Sequence, residues 1–134
     1  MTGNLPRNLT IASVLTVVLM TLHQTDDILR NQDGVAQGGA ASLVVVLGLV
    51  VWLYGAVMLV ERRAGYVLNL VFAVLASLIA VGHLTGVGDV VVGKIATSSG
   101  AFFVWVVVAM GVTAISAFVL SAYGLWSMQR GQAR

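Results

Sequence analysis

Long apolar stretches alternate with short polar segments along the chain, and this pattern predicts four helices. The segments expected to be helical are 8–29, 41–60, 66–84 and 100–128. A helix of about 20 apolar residues spans the hydrocarbon core of a bilayer. The apolar part of the first segment, 9–22, is short for a span, so we expect its helix to continue through residues 23–29. The sequence therefore predicts an all-α, four-transmembrane-helix bundle that forms one domain over residues 1–134.

Composition supports a membrane protein and excludes several other classes. Hydrophobic residues make up 59% of the chain and charged residues only 9%, whereas about 25% of a typical soluble domain is charged. The chain has no cysteine, which removes disulfides, thiolate metal sites and thiol redox chemistry. A net charge of +2 gives no sign of nucleic-acid binding.

The distribution of basic residues predicts the orientation of the spans. Arginine and lysine collect in the cytoplasmic loops of membrane proteins. One side of the predicted bundle carries Arg7, Arg62, Arg63, Arg130 and Arg134, whereas the other carries Arg30 and Lys94. We therefore expect both termini in the cytoplasm, most simply in a bacterial inner membrane. A cleaved signal peptide over the first segment is the alternative, although no small-x-small cleavage site follows it.

Two weak similarities between the chain halves suggest an internal repeat. His-x-Thr recurs at 23–25 and 83–85, and Tyr-Gly recurs at 54–55 and 123–124. These positions are compatible with two parallel hairpins related by an axis along the membrane normal.

Small and polar residues at helical spacing indicate which faces point inward, because close packing holds membrane helices together. The third segment has the clearest inward face. The predicted interior faces are Thr16, Met20 and His23; Gly48, Trp52 and Gly55; Asn69, Ala73, Ala76, Ala80 and His83; and Thr113, Ser116, Ala117, Leu120 and Gly124. The aromatic residues near segment ends, Trp52 and Tyr66 among them, are expected to be interface anchors. Between the second and third segments, we expect Ala64-Gly65 to turn the chain.

The ionisable residues at the end of the first segment are the candidate functional group. His23, Asp26, Asp27 and Arg30 fall at i, i+3, i+4 and i+7, so they share one helix face. If the first and third segments pack together, His83 meets this face at its outer end. The sequence thus predicts an outward-facing polar pocket.

A metal site is one interpretation of this pocket. Neutral imidazoles and a carboxylate suit zinc, copper, iron or manganese, so His23, Asp27 and His83 are the predicted metal ligands. Asp26 and Arg30 are predicted to contact a small polar ligand. Whether the protein is an enzyme stays open at this stage; in a catalytic site, Asp26 would be the general base or would orient a ligand.

Other interpretations of the same residues remain open. His23 and His83 could ligate haem b across the bundle, making an electron-transfer protein. Alternatively, the group could pin two helix ends together by hydrogen bonds and ion pairs. In that case the protein would be a structural or accessory subunit of a larger membrane complex, or a homo-oligomer. A proton pathway is a further interpretation, since ionisable residues inside a bundle are functional candidates.

Overall fold

The computed structural model describes residues 4–30, 40–85 and 100–131, and the regular secondary structure in these ranges is helical. The helices are α1 (Leu5–Arg30), α2 (Ala40–Met58), α3 (Arg63–Thr85) and α4 (Gly100–Gln129). The all-helical prediction is therefore confirmed for the described residues, and a helical bundle fits them. The sequence also predicts loops at 31–40 and 85–99; residues 31–39 and 86–99 of these lie outside the described ranges, whereas Ala40 and Thr85 belong to α2 and α3.

Three helices are long and apolar enough to cross a membrane. These spans are Leu5–Asp26, Arg63–Thr85 and Ala101–Gln129, whereas the apolar part of α2, Leu43–Met58, is shorter. Their outward surfaces carry many exposed aliphatic side chains, which in water would form an apolar patch far larger than monomeric soluble proteins tolerate. These features suggest a membrane protein.

Helix α4 packs against α1 and α3, and α2 packs against the same two helices without touching α4 in the described residues. Helices that follow one another in the chain run in opposite directions, so α1 and α3 are parallel. The Thr10 hydroxyl donates a hydrogen bond to the Ala56 carbonyl (2.9 Å), which joins the start of α1 to the end of α2. We call this end, with Arg7, Arg62, Arg63 and Arg130, the arginine end. The opposite end, with His23, His83 and Phe103, is the histidine end.

The packing of α2 bears on the predicted repeat. The repeat would make α2 and α4 equivalent. Helix α2, however, buries only Trp52, Gly55 and Ala56 among its described side chains, whereas α4 has a buried stripe from Phe103 to Ser127. The repeat stays a prediction that the packing does not support.

The turn between α2 and α3 differs from the prediction. Helix α2 ends at Met58, and the Arg62 amide donates a hydrogen bond to the Leu59 carbonyl (2.8 Å) within the turn. Ala64 and Gly65 lie inside α3, so the prediction that they form the turn is wrong. Gly65 lets the first turn of α3 lie close to the backbone of Leu59, because a Cβ atom at Gly65 would overlap the Leu59 carbonyl oxygen.

Most of the predicted interior faces are buried. On α3, Asn69, Ala73, Ala76 and Ala80 are each at most 2% exposed. Ser116 is exposed, and its hydroxyl donates a hydrogen bond to the Val112 carbonyl of its own helix (2.8 Å). This bond satisfies the hydroxyl without a partner helix, so the prediction that Ser116 faces inward is wrong.

The anchor interpretation is also wrong for two aromatic residues. Trp52 and Tyr66 are buried in the core at 1% and 3% exposure. Each has a specific neighbour on another helix. The Trp52 ring stacks on Phe72 at 5.5 Å between centroids, and Tyr66 packs over Gly124, where a Cβ atom would overlap its ring.

Candidate functional site

His23 is buried at the histidine end because it continues the inward face of α1. Thr16 and Met20 lie on the same face at 0% and 5% exposure, and His23 itself is 1% exposed. The Thr21 and Thr25 hydroxyls donate to the carbonyls of Val17 and Thr21 on their own helix. The imidazole of His23 is therefore the polar group that α1 presents to the interior at this level.

His83 reaches the same place from α3. The alanine face of α3 allows close packing on α4, since a Cβ atom at Gly111 would lie 3.2 Å from the Ala80 Cβ. His83 is half-buried one turn beyond Ala80. Its Nε2 atom lies 3.1 Å from Nε2 of His23. The expectation that the two rings meet is confirmed, although the ligand roles assigned to them stay predictions.

Phe103 closes a third side of the imidazole pair. The two imidazoles meet edge to face, with centroids 4.7 Å apart and planes at 78°. The Phe103 ring of α4 lies 5.2 Å from His23 and 6.0 Å from His83. The sequence analysis missed Phe103. The available signal was its place near the start of α4, which antiparallel packing brings level with the end of α3.

Of the charged residues predicted beside the imidazole pair, the structure describes the side chain of Asp26. Asp26 lies one turn beyond His23, is partly buried, and is close enough to interact electrostatically with the His23 ring. Asp27 and Arg30 belong to the last turn of α1, but their side chains lie outside the described part. Among the side chains that are described, no three histidine or carboxylate groups are placed to hold a metal ion.

The Nε2 to Nε2 distance is compatible with two kinds of interaction. At 3.1 Å one ring can donate N–H to the other, which requires that the accepting ring be neutral. The same distance fits two ligands of one ion. With metal–nitrogen bonds of about 2.0–2.1 Å, the angle at the metal would be roughly 100°, between the octahedral and tetrahedral values.

Haem ligation does not fit this arrangement. Axial imidazoles lie on opposite faces of the porphyrin, so their Nε2 atoms are separated by about 4 Å with the ring between them. Here the rings touch directly, and Phe103 packs against both. The edge-to-face contact leaves no space for a macrocycle between the imidazoles.

A second buried polar group lies toward the arginine end. The Trp52 indole N–H donates to Oδ1 of Asn69 (3.1 Å), and the Asn69 amide donates to the Gly65 carbonyl (2.8 Å). This group joins α2 to α3 and satisfies every polar atom that the indole offers. Because its hydrogen bonds are internal, we assign it to folding rather than to ligand binding.

Comparison of the chain with protein-family models, curated proteins and solved structures finds no match, so the geometry above is the basis for any function.

Proposed function

We propose that the chain is a small polytopic membrane protein with four spans and both termini in the cytoplasm of a bacterial cell. Three helices of sufficient length and hydropathy support insertion. Helix α2 has 19 residues and is about 28 Å long at 1.5 Å per residue, close to the hydrocarbon thickness. Its charge-free sequence suits a fourth span. In this orientation the histidine end faces outward.

We propose further that the imidazole pair binds a divalent transition metal ion. The observation that carries this proposal is the 3.1 Å distance between the Nε2 atoms of His23 and His83. The two side chains come from different helices and hold their Nε2 atoms at the distance that two ligands of one ion have, so one ion can bind both once the rings turn toward it. Preorganisation of this kind lowers the entropic cost of binding.

The other coordination positions fall to water and to carboxylate. Asp27 follows His23 by four residues, a spacing that lets both reach one ion on a helix. Asp26 lies beside His23 on the neighbouring part of the face and would orient a ligand or a bound water. Arg30 extends the same face and would contact an anionic ligand group.

Metal titration of the purified full chain in detergent tests this proposal. We expect wild-type protein to bind one Co²⁺ or Cu²⁺ ion with a visible or paramagnetic spectrum typical of nitrogen ligands. His83→Ala should lose that spectrum while keeping its helical circular dichroism. Asn69→Ala is the matched control, because it removes a buried polar side chain of α3 outside the site. The proposal fails if His83→Ala binds the metal as wild type does.

The second candidate function is a structural or accessory subunit, alone or as a homo-oligomer. Direct imidazole contact and 1% exposure of His23 favour this candidate, because two helix ends joined by a buried hydrogen bond need no ligand. A double-mutant cycle separates the candidates. Coupled losses of unfolding free energy for His23→Ala and His83→Ala, without any metal spectrum, would favour the structural role.

A further inference from the structure

Four arginines are exposed at the arginine end and come from three different segments. Arg7 lies in the first turn of α1, Arg62 and Arg63 at the start of α3, and Arg130 just after α4. Glu61 is the one acidic side chain described beside them. Four arginines against one glutamate give this end a net charge of +3, whereas Asp26 is the charged side chain described at the histidine end.

Contacts between the helices place these arginines at the same end of the bundle. Thr10 bonds to Ala56, and Arg7 precedes Thr10 by three residues, which is about 4.5 Å along the helix. Tyr66 packs against Gly124. Arg63 precedes Tyr66 by three residues, and Arg130 follows Gly124 by six, or about 9 Å. The arginines therefore lie beyond these two contacts toward the same end of the bundle, about 4.5–9 Å past the contact that each one adjoins.

Arg130 is held in a defined position. Its guanidinium carbon lies 4.0 Å from the centroid of the Trp126 ring, a cation–π contact. Trp126 in turn packs against Tyr123 at 5.9 Å, and both rings are about half exposed. An arginine that stacks on an aromatic face keeps its N–H donors free for an anionic oxygen.

From these observations we propose that the arginine end is a binding surface for the headgroups of anionic phospholipids. The surface joins a cationic layer to exposed aromatic rings, and the exposed apolar sides of the helices begin directly below. Its partner must therefore carry an anionic group attached to hydrocarbon, and a phospholipid has this structure. Phosphate oxygens would accept hydrogen bonds from Arg130 and Arg62 while acyl chains cover the side of α4. The proposal depends on membrane insertion but not on the imidazole pair.

Tryptophan quenching in lipid nanodiscs tests this surface. The parent protein for the experiment is the full chain with Trp105→Phe, which leaves Trp126 and the buried Trp52. Because Trp52 is 1% exposed, brominated lipids should quench chiefly Trp126. We compare brominated phosphatidylglycerol with brominated phosphatidylcholine at equal mole fractions. An arginine near an anionic surface contributes about 1 kcal/mol, so each one should favour the anionic lipid about fivefold.

We expect the parent to prefer phosphatidylglycerol at least fivefold, and the ratio of the Arg62→Gln/Arg130→Gln variant to fall at least fivefold below that of the parent, while Arg7 and Arg63 keep whatever preference remains. Gln129→Ala is the matched control, since it changes an exposed neutral neighbour and should keep the preference. A ratio near one in the parent would overturn the proposal, as would an unchanged ratio in the double variant. Loss of the preference on adding inorganic phosphate at constant ionic strength would also overturn it, because the surface would then bind soluble anions.

Discussion

Replacing Gly124 with alanine tests a close contact between α3 and α4. A Cβ atom at this position would overlap Cε1 and Cδ1 of Tyr66. The overlapped atoms belong to a rigid ring rather than to a flexible chain end, and Tyr66 is only 3% exposed. The ring has no open space to enter, so α3 and α4 must separate at the arginine end.

Two opposing effects set the expected change in the unfolding free energy of Gly124→Ala. Overpacking of a tight interior typically costs about 1–3 kcal/mol, and alanine gains up to about 1 kcal/mol over glycine in a helix. Gly82→Ala isolates the second term, since a Cβ atom there meets no other atom within 4 Å. We therefore expect Gly124→Ala to be less stable than Gly82→Ala by about 1–3 kcal/mol.

Reversible unfolding in mixed micelles, followed by circular dichroism, measures both variants. A second prediction within the experiment concerns Tyr66→Ala, which removes the overlapped ring. In the background of Tyr66→Ala, the Gly124→Ala change should lose its cost, giving a strongly non-additive cycle. Equal stability of Gly124→Ala and Gly82→Ala would refute the reasoning, because it would show that α3 and α4 are not in close contact there.

Two further predictions concern the buried polar pairs. Trp52→Phe removes the indole N–H and leaves the buried Oδ1 atom of Asn69 without that hydrogen-bond donor. The unfolding free energy should therefore fall by about 1–3 kcal/mol. An unchanged value would show that the indole hydrogen bond is not formed. Acid should destabilise the wild type through His23 and His83, because two protonated rings are both donors and cannot bond to each other. Asp26 is the carboxylate beside them, and Phe103 of α4 is uncharged. Below pH about 6.5, the unfolding free energy of the wild type should therefore fall more steeply than that of His83→Ala. A fall that is no steeper in the wild type would contradict this prediction.

The helices and the inward face of α3 could be predicted because both depend on simple periodicity. Uninterrupted apolar stretches of span length leave few alternatives to a helix. On α3, Ala73, Ala76 and Ala80 recur every three or four residues, and small residues at this spacing mark close helix contacts. The burial of these alanines follows from their own helix, so no knowledge of the partner helix was needed.

Tertiary partners decided the cases in which the sequence analysis was wrong, as for Tyr66, or gave one residue two placements, as for Trp52, which it put both on an interior face and at the membrane interface. An aromatic ring near a helix end is stable at the membrane interface, and it is equally stable in the core when a neighbour accommodates it. Trp52 is buried because Asn69 accepts its N–H, and Tyr66 because Gly124 has no side chain. Neither neighbour can be identified before the register between helices is known. Ser116 shows the same limit, since its hydroxyl bonds to its own helix.

The candidate site was predictable in its centre and not in its surroundings. His23 and His83 could be paired because each ends an inward face and both helices run in the same direction. Phe103 belongs to a helix whose register with α3 is set by the small residues Ala80 and Gly111, which single-helix patterns do not reveal. The roles of Asp27 and Arg30 stay predictions, because their side chains lie outside the described part.

The two buried polar pairs, Trp52–Asn69 and His23–His83, lie toward opposite ends of α3. Asn69 and His83 are 14 residues apart, or about 21 Å along the helix, and their hydrogen bonds in the described part run to different residues, Trp52 and Gly65 for Asn69 and His23 for His83. Substitutions at sites this far apart usually act additively. Helix α2 is attached to α3 near Asn69 through Trp52, so loosening α2 at this level should leave the His23–His83 distance unchanged. This separation is why Asn69→Ala is a sound control for the metal titration: it lowers stability through α2 while the two imidazoles stay in place.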